Sequence, residues 1–89
     1  MALLRTASQT LSTSYGAAIP VESGWENVTV TLDDDEIAFV VEIDGGNEEA
    51  VPAGSSWVLE TPGASTRAAL SLKVKSASGT PVASVIWFK

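Results

Sequence analysis

Val28-Thr29-Val30-Thr31-Leu32, an acidic Asp33-Asp34-Asp35-Glu36, and then Ile37-Ala38-Phe39-Val40-Val41-Glu42-Ile43 form the stretch from which the fold is read. In the first run Val28, Val30 and Leu32 alternate with Thr29 and Thr31. In the second, Ile37, Phe39, Val41 and Ile43 alternate with Ala38, Val40 and Glu42. A side-chain period of two is that of an extended strand with one face buried. The four consecutive acids between the runs favour a solvated loop over a continuation of either strand. No run in the chain carries the three- and four-residue spacing of an amphipathic helix.

The same grammar extends outward. Asp44-Gly45-Gly46-Asn47 offers residues that take positive φ at little cost, so a turn is expected there. Pro52-Ala53-Gly54 precedes a short strand marked by Trp57 and Leu59, and Pro62-Gly63-Ala64-Ser65 follows it. Leu70, Leu72 and Val74 alternate with Ser71, Lys73 and Lys75. Ser78-Gly79-Thr80-Pro81 then leads into a closing run, Val82–Phe88, that is apolar on nearly both sides: Val82, Ile86 and Phe88 on one, Val85 and Trp87 on the other. Weaker strands are expected near Leu3–Ser8 and around Ala17–Val21, beside Pro20. Short strands separated by turn signals every ~8–12 residues predict an all-β chain, a small antiparallel β-sandwich of about seven strands, jelly-roll or Ig-like.

With 89 residues there is room for one domain. The sandwich is expected over 25–89. Residues 1–24 stand apart as an N-terminal segment or arm, because residues 6–14 are Ser, Thr, Gln and Ala with one Leu. That segment is either irregular chain packed across the sandwich or an arm reaching a neighbouring subunit.

Composition narrows the function. The chain has no cysteine and no histidine, which excludes disulfides, zinc fingers, haem and iron–sulfur ligation, and every nucleophile arrangement that uses a His base. Small domains usually need a disulfide, a metal or oligomerisation, so association with other chains is the expected support. Eleven acids against five bases give a formal charge of −6, which argues against nucleic acid and anionic membrane as partners. No apolar run approaches the ~20 residues of a membrane helix. Arg5 follows Leu3 and Leu4 instead of preceding a long apolar core, so no export signal is expected and synthesis in a cytoplasm is. All eleven acids lie between Glu22 and Glu60, and four of the five bases lie at Arg67, Lys73, Lys75 and Lys89. This reads as solvated faces, or as complementary faces that meet between copies.

Candidate sites are few. Asp33–Glu36 could supply oxygens to calcium, but the EF-hand spacing is absent and an acidic hairpin tip accounts for it. Glu42 and Glu60 are the carboxylates that a glycosidase reading would pair, but a domain of this size leaves little room for a cleft around them. No phosphate-binding glycine loop and no Ser-x-x-Lys is present. Asn27-Val28-Thr29 matches a glycosylation sequon and reads as chance without a secretory signal. No cofactor and no metal is therefore expected. Three tryptophans remain. In a sandwich such rings either fill the core or form a strip on which sugars stack. Trp57 reads as core, Trp25 as an exposed anchor after Gly24, and Trp87 as a ring whose face is covered by a neighbour or by the N-terminal segment.

Ala50-Val51-Pro52-Ala53-Gly54-Ser55-Ser56, a following aromatic strand, and Leu70-Ser71-Leu72-Lys73-Val74-Lys75-Ser76-Ala77-Ser78-Gly79-Thr80 before an apolar last strand resemble the small β-sandwich virion proteins of tailed bacteriophages, over about residues 25–89. That resemblance implies a structural protein without catalysis: a capsid decoration, or cement, protein on the virion surface, made in the host cytoplasm. Its partner would be the major capsid protein, and it would act as a homotrimer or other homo-oligomer. Its contacts are expected at Leu3, Leu4 and Arg5 in the arm, at Trp25, and at Trp87 and Phe88. The alternatives are a carbohydrate-binding module carried on the tryptophans and a tail or baseplate component with the same sandwich.

Overall fold

The structure, a computed structural model, describes residues 4–60 and 68–88. Its eight strands are β1 (Leu4–Thr10), β2 (Ile19–Val21), β3 (Glu26–Leu32), β4 (Phe39–Ile43), β5 (Asn47–Val51), β6 (Trp57–Leu59), β7 (Leu70–Ser76) and β8 (Val82–Phe88). They form two antiparallel four-stranded sheets, with order β1-β8-β3-β6 in the first and β2-β7-β4-β5 in the second. The first strand pairs with the last, the second with the seventh, the third with the sixth and the fourth with the fifth. Four nested pairs of this kind, rolled so that β8 also meets β3 and β7 also meets β4, make an eight-stranded jelly roll. The expected all-β sandwich is thus present, and its topology is the jelly-roll one.

The alternation in the sequence sets what faces inward. Val28 and Val30 from β3, Phe39 and Val41 from β4, Leu72 and Val74 from β7 and Val85 from β8 are buried between the sheets. Two devices hold the turns. In the β4–β5 hairpin Asp44 (φ 52°) and Gly45 (φ 72°) both take positive φ, the twist that suits a tight hairpin, while the Gly46 N–H donates to the Ile43 carbonyl. Asp44 is fixed from the side by two bonds to Ser71: its own N–H donates to the Ser71 carbonyl, and the Ser71 N–H donates to its carboxylate. In β3, Asn27 (φ 50°) forms a bulge that shifts the register against β8 between Glu26 and Thr29.

β5 lies where no strand was read. Four of its five residues are exposed, so it carries no alternation, and its pairing with β4 alone makes it a strand. Residues 4–21, within the segment read as a possible arm, pair inside this chain. β1 runs the length of β8, and at Leu11 the chain changes partner. Leu11 donates its N–H to Pro81, and the next carbonyl, that of Ser12, accepts from both the N–H and the hydroxyl of Ser76 at the end of β7. Leu11 itself is buried, and β2 continues along β7. Leu3, and the turn expected at residues 62–65, lie outside the described residues.

Candidate functional site

The three tryptophans are all core residues, at 4–5% exposure. This corrects the expectation of Trp25 as a surface anchor. Gly24, at φ 82°, turns the chain so that the ring enters the sandwich, where its indole N–H donates to the Ala68 carbonyl at 2.9 Å. Trp87 is likewise corrected as a residue lining a subunit interface. It points inward with Ala83 and Val85, so its cover is the opposite sheet of its own chain. Trp57 is core as expected, with its N–H on Glu49. A sugar-stacking strip of indoles is therefore not formed.

The acidic run is not a hairpin tip, because β3 and β4 lie in different sheets and it crosses between them, and it is occupied by local bonding. One Asp33 carboxylate oxygen accepts the Val82 N–H at 2.9 Å, and one from Asp34 accepts the Glu36 N–H at 3.0 Å, as an Asx turn does. Among the described residues no three acidic side chains converge as metal ligands would. Glu42 lies on β4 in the second sheet, whereas Glu60 follows β6 in the first, so the fold does not bring that pair of carboxylates together. An open groove of about 520 Å³ beside β4 and β5 is lined by Phe39, Val40, Ala50, Val51 and Pro52, with Lys75 its single charged wall. Its other polar lining is Thr13 and Ser76, and the Ser76 hydroxyl is already bonded to the Ser12 carbonyl.

The outer faces of the two sheets differ. On the second sheet, Lys73 stands opposite Glu42, and Tyr15 lies beside the ammonium of Lys75, 4.6 Å from its ring centroid. The Tyr15 hydroxyl donates to Glu48 at 2.6 Å. Partial burial, with that bond and the negative charge of Glu48 and Glu42, pushes the phenol up to about 12, so it is neutral and a donor at ordinary pH. This face is solvated and internally paired.

The outer face of the first sheet is apolar. Leu4 is 58% exposed, Val58 51%, Phe88 40% and Ile86 38%, and these are the exposed large hydrophobic residues of the described chain. The register assembles them. Leu4 stands opposite Phe88, Thr6 opposite Ile86, Ile86 opposite Thr29, and Thr29 opposite Val58. Threonine and serine fill the positions between, with Thr31 and Ser56 hydroxyls bonded at 3.1 Å. Glu26, opposite Phe88, is the charged strand residue on this face, at its end. Exposed apolar residues of β1, β8 and β6, interleaved with threonine and serine, make this outer face the candidate docking surface.

Of the contact residues expected from the sequence, the fold places Leu4 and Phe88 side by side on this face. Arg5 points the other way, to Glu22 at 3.6 Å across the sandwich edge. Ile86 and Val58 belong to the face but were not singled out. The signal for Ile86 was present in its two-residue spacing from Phe88, whereas nothing local marks Val58. Comparison of the chain with protein-family models, with curated proteins and with solved structures finds no match.

Proposed function

We propose that the chain is a non-catalytic structural module that docks on other protein through the outer face of its first sheet, in the manner of a virion decoration protein on a phage head. The observation that carries this reading is that face: Leu4 on β1, Ile86 and Phe88 on β8 and Val58 on β6 stand exposed on one side of the sheet, with Thr and Ser between them. Removing such a surface from water is worth about 25 cal/mol per Å² of apolar area, and a small domain gains most from it when many copies engage one lattice. Two further facts support it. The sequence resemblance points to small virion sandwiches, and the eight-stranded jelly roll is an architecture that capsid domains share with lectins and cupins, a likeness of fold alone.

The test is co-sedimentation of the purified protein with assembled heads of the phage that encodes it. Wild-type protein is expected in the pellet with heads, and Phe88→Asp in the supernatant with its circular dichroism unchanged. Equal binding by the two proteins, or no binding by wild type, ends the reading. Pelleting with tails instead of heads assigns the same face to a tail or baseplate partner.

A further inference from the structure

We propose that β1 is a self-pairing edge: two copies join their β1 strands antiparallel about a two-fold axis at Ala7, making one continuous eight-stranded sheet. The proposal goes beyond the docking reading above, since it concerns the open edge of the same sheet and not its outer face.

Among the described residues four strand edges are open in the sandwich: β1 and β6 in the first sheet, β2 and β5 in the second. Open edges are ordinarily blunted by shortness, proline or charge. β2 and β6 have three residues each, and β2 contains Pro20. β5 carries Glu48 and Glu49, and two copies meeting there would bring four carboxylates together. β1 has none of these defences. It has seven residues, no proline, and Arg5 as its one charge, turned inward to Glu22. In a chain of formal charge −6 it is the edge at which two copies repel least.

The free backbone groups can be assigned. Leu11 donates to Pro81, so in the β1–β8 ladder Leu11 and, by alternation, Gln9, Ala7 and Arg5 turn their backbone groups toward β8. The N–H and C=O of Leu4, Thr6, Ser8 and Thr10 therefore face outward from the edge. An antiparallel partner must place outward-facing residues opposite one another. The register that uses the whole strand sets Leu4 opposite Thr10 and Thr6 opposite Ser8 of the second copy, with Ala7 on the axis. Each outward-facing pair then exchanges two N–H···O bonds.

This register is self-complementary in its side chains. On the outer face the apolar surface of one copy continues through Thr6 and Ser8 into that of the other. On the inner side, Arg5 of the second copy stands opposite Gln9. The Gln9 Nε2 donates to the Ala17 carbonyl at 3.0 Å, but its Oε1 is buried without a donor among the described residues. A buried acceptor left open is costly, and a guanidinium is the donor the register brings to that position. Arg5 meets Gln9 and not its own symmetry mate, so no like charges face across the axis.

The experiment measures mass in solution by sedimentation equilibrium from about 1 µM to about 1 mM, the span of weak to moderate association. The wild type is expected to rise from 9.2 kDa to twice that mass. Thr6→Pro removes an outward N–H without touching the β8 ladder, so it is expected to remain at the mass of one chain with its circular dichroism unchanged. Thr6→Lys keeps the N–H but places two lysines at diagonal positions, ~7–8 Å apart at the backbone, across the axis. It is expected to weaken association at least tenfold in low salt and to recover in high salt. Ala7→Cys tests the register. The chain has no other cysteine, and a facing pair with Cα atoms about 4.5 Å apart lies within disulfide reach. Oxidation is expected to give a covalent dimer from Ala7→Cys and none from Ser84→Cys on β8. A wild type that stays at one chain mass throughout, a Thr6→Lys that associates as wild type does in low salt, or cross-linking at Ser84→Cys but not Ala7→Cys would overturn the proposal. None of these readings uses particles, so the pairing and the docking reading fail separately.

Discussion

β7 and β8 have seven residues each and occupy equivalent, central places in their sheets, yet their outward residues differ in kind. β7 presents Ser71, Lys73 and Lys75 to the outside, and β8 presents Ser84, Ile86 and Phe88. Around the first pair of lysines the second sheet arranges Glu42, Glu48 and Tyr15, so that its outer face is satisfied within the chain. Around Ile86 and Phe88 the first sheet arranges Leu4 and Val58, so that its outer face gains apolar area and nothing covers it among the described residues. Two sheets of one jelly roll can thus share an interior logic and differ in what they ask of their surroundings. The charged face needs only water. The apolar one leaves Leu4, Val58, Ile86 and Phe88 facing solvent.

The sharpest break of that comparison lies between two neighbours on β8. Trp87→Ala empties a buried ring site and is expected to cost about 3–5 kcal/mol, enough to unfold a domain this small, whereas Phe88→Ala, one residue on but facing out, should cost no more than about 1 kcal/mol. Urea unfolding of the two variants checks this, and a similar loss from both would mean that the outer face is structural. Next in size, replacing both Ile86 and Phe88 by Asp is expected to weaken docking on particles about 100-fold or more, since truncation of central apolar anchors dominates interface energetics. Lys73→Ser on the other face should leave docking unchanged in the same pelleting assay.

A smaller effect is expected within the charged face. Lys73→Glu sets two carboxylates opposite each other on β7 and β4, a change of about 0.2–1 kcal/mol in stability. The loss should shrink in high salt, and an effect indifferent to salt would show that packing, not charge, is at stake. The smallest is the alkaline limb. The Tyr15 phenol titrates near 12 when folded against an ordinary 10.0, so the folded chain keeps a proton that the unfolded one releases between those values. The stability this contributes is complete below pH 10 and is lost as pH rises through about 12. Tyr15→Phe should flatten that fall in the unfolding midpoint, and an identical pH profile in both proteins would remove the Tyr15 phenol as its cause.

Much of this was legible before folding. The alternations at residues 28–32, 39–43 and 70–74 state their buried faces outright, because a strand half in water and half in core must alternate. β5 was not legible: Asn47-Glu48-Glu49-Ala50 is polar nearly throughout, and hydrogen bonding to β4 makes it a strand. The candidate face was half legible. Phe88 and Leu4 were named as contacts from a run apolar on both sides and from an apolar start, but Trp87 and Trp25 were placed on the wrong side. A ring in a strand that is apolar on both faces gives no local sign of which face is the core. That depends on which sheet lies across from it.

The sequence by itself determined a chain of short strands without helical periodicity, thiol or imidazole, because side-chain period and residue type are local properties. Only the tertiary structure decided that the strands nest first with last, and that Leu4, Ile86, Phe88 and Val58, which lie up to 84 positions apart, share one surface. The reason is register. Pairing across a sheet makes neighbours of residues far apart in the chain, and no local pattern carries the identity of a partner strand.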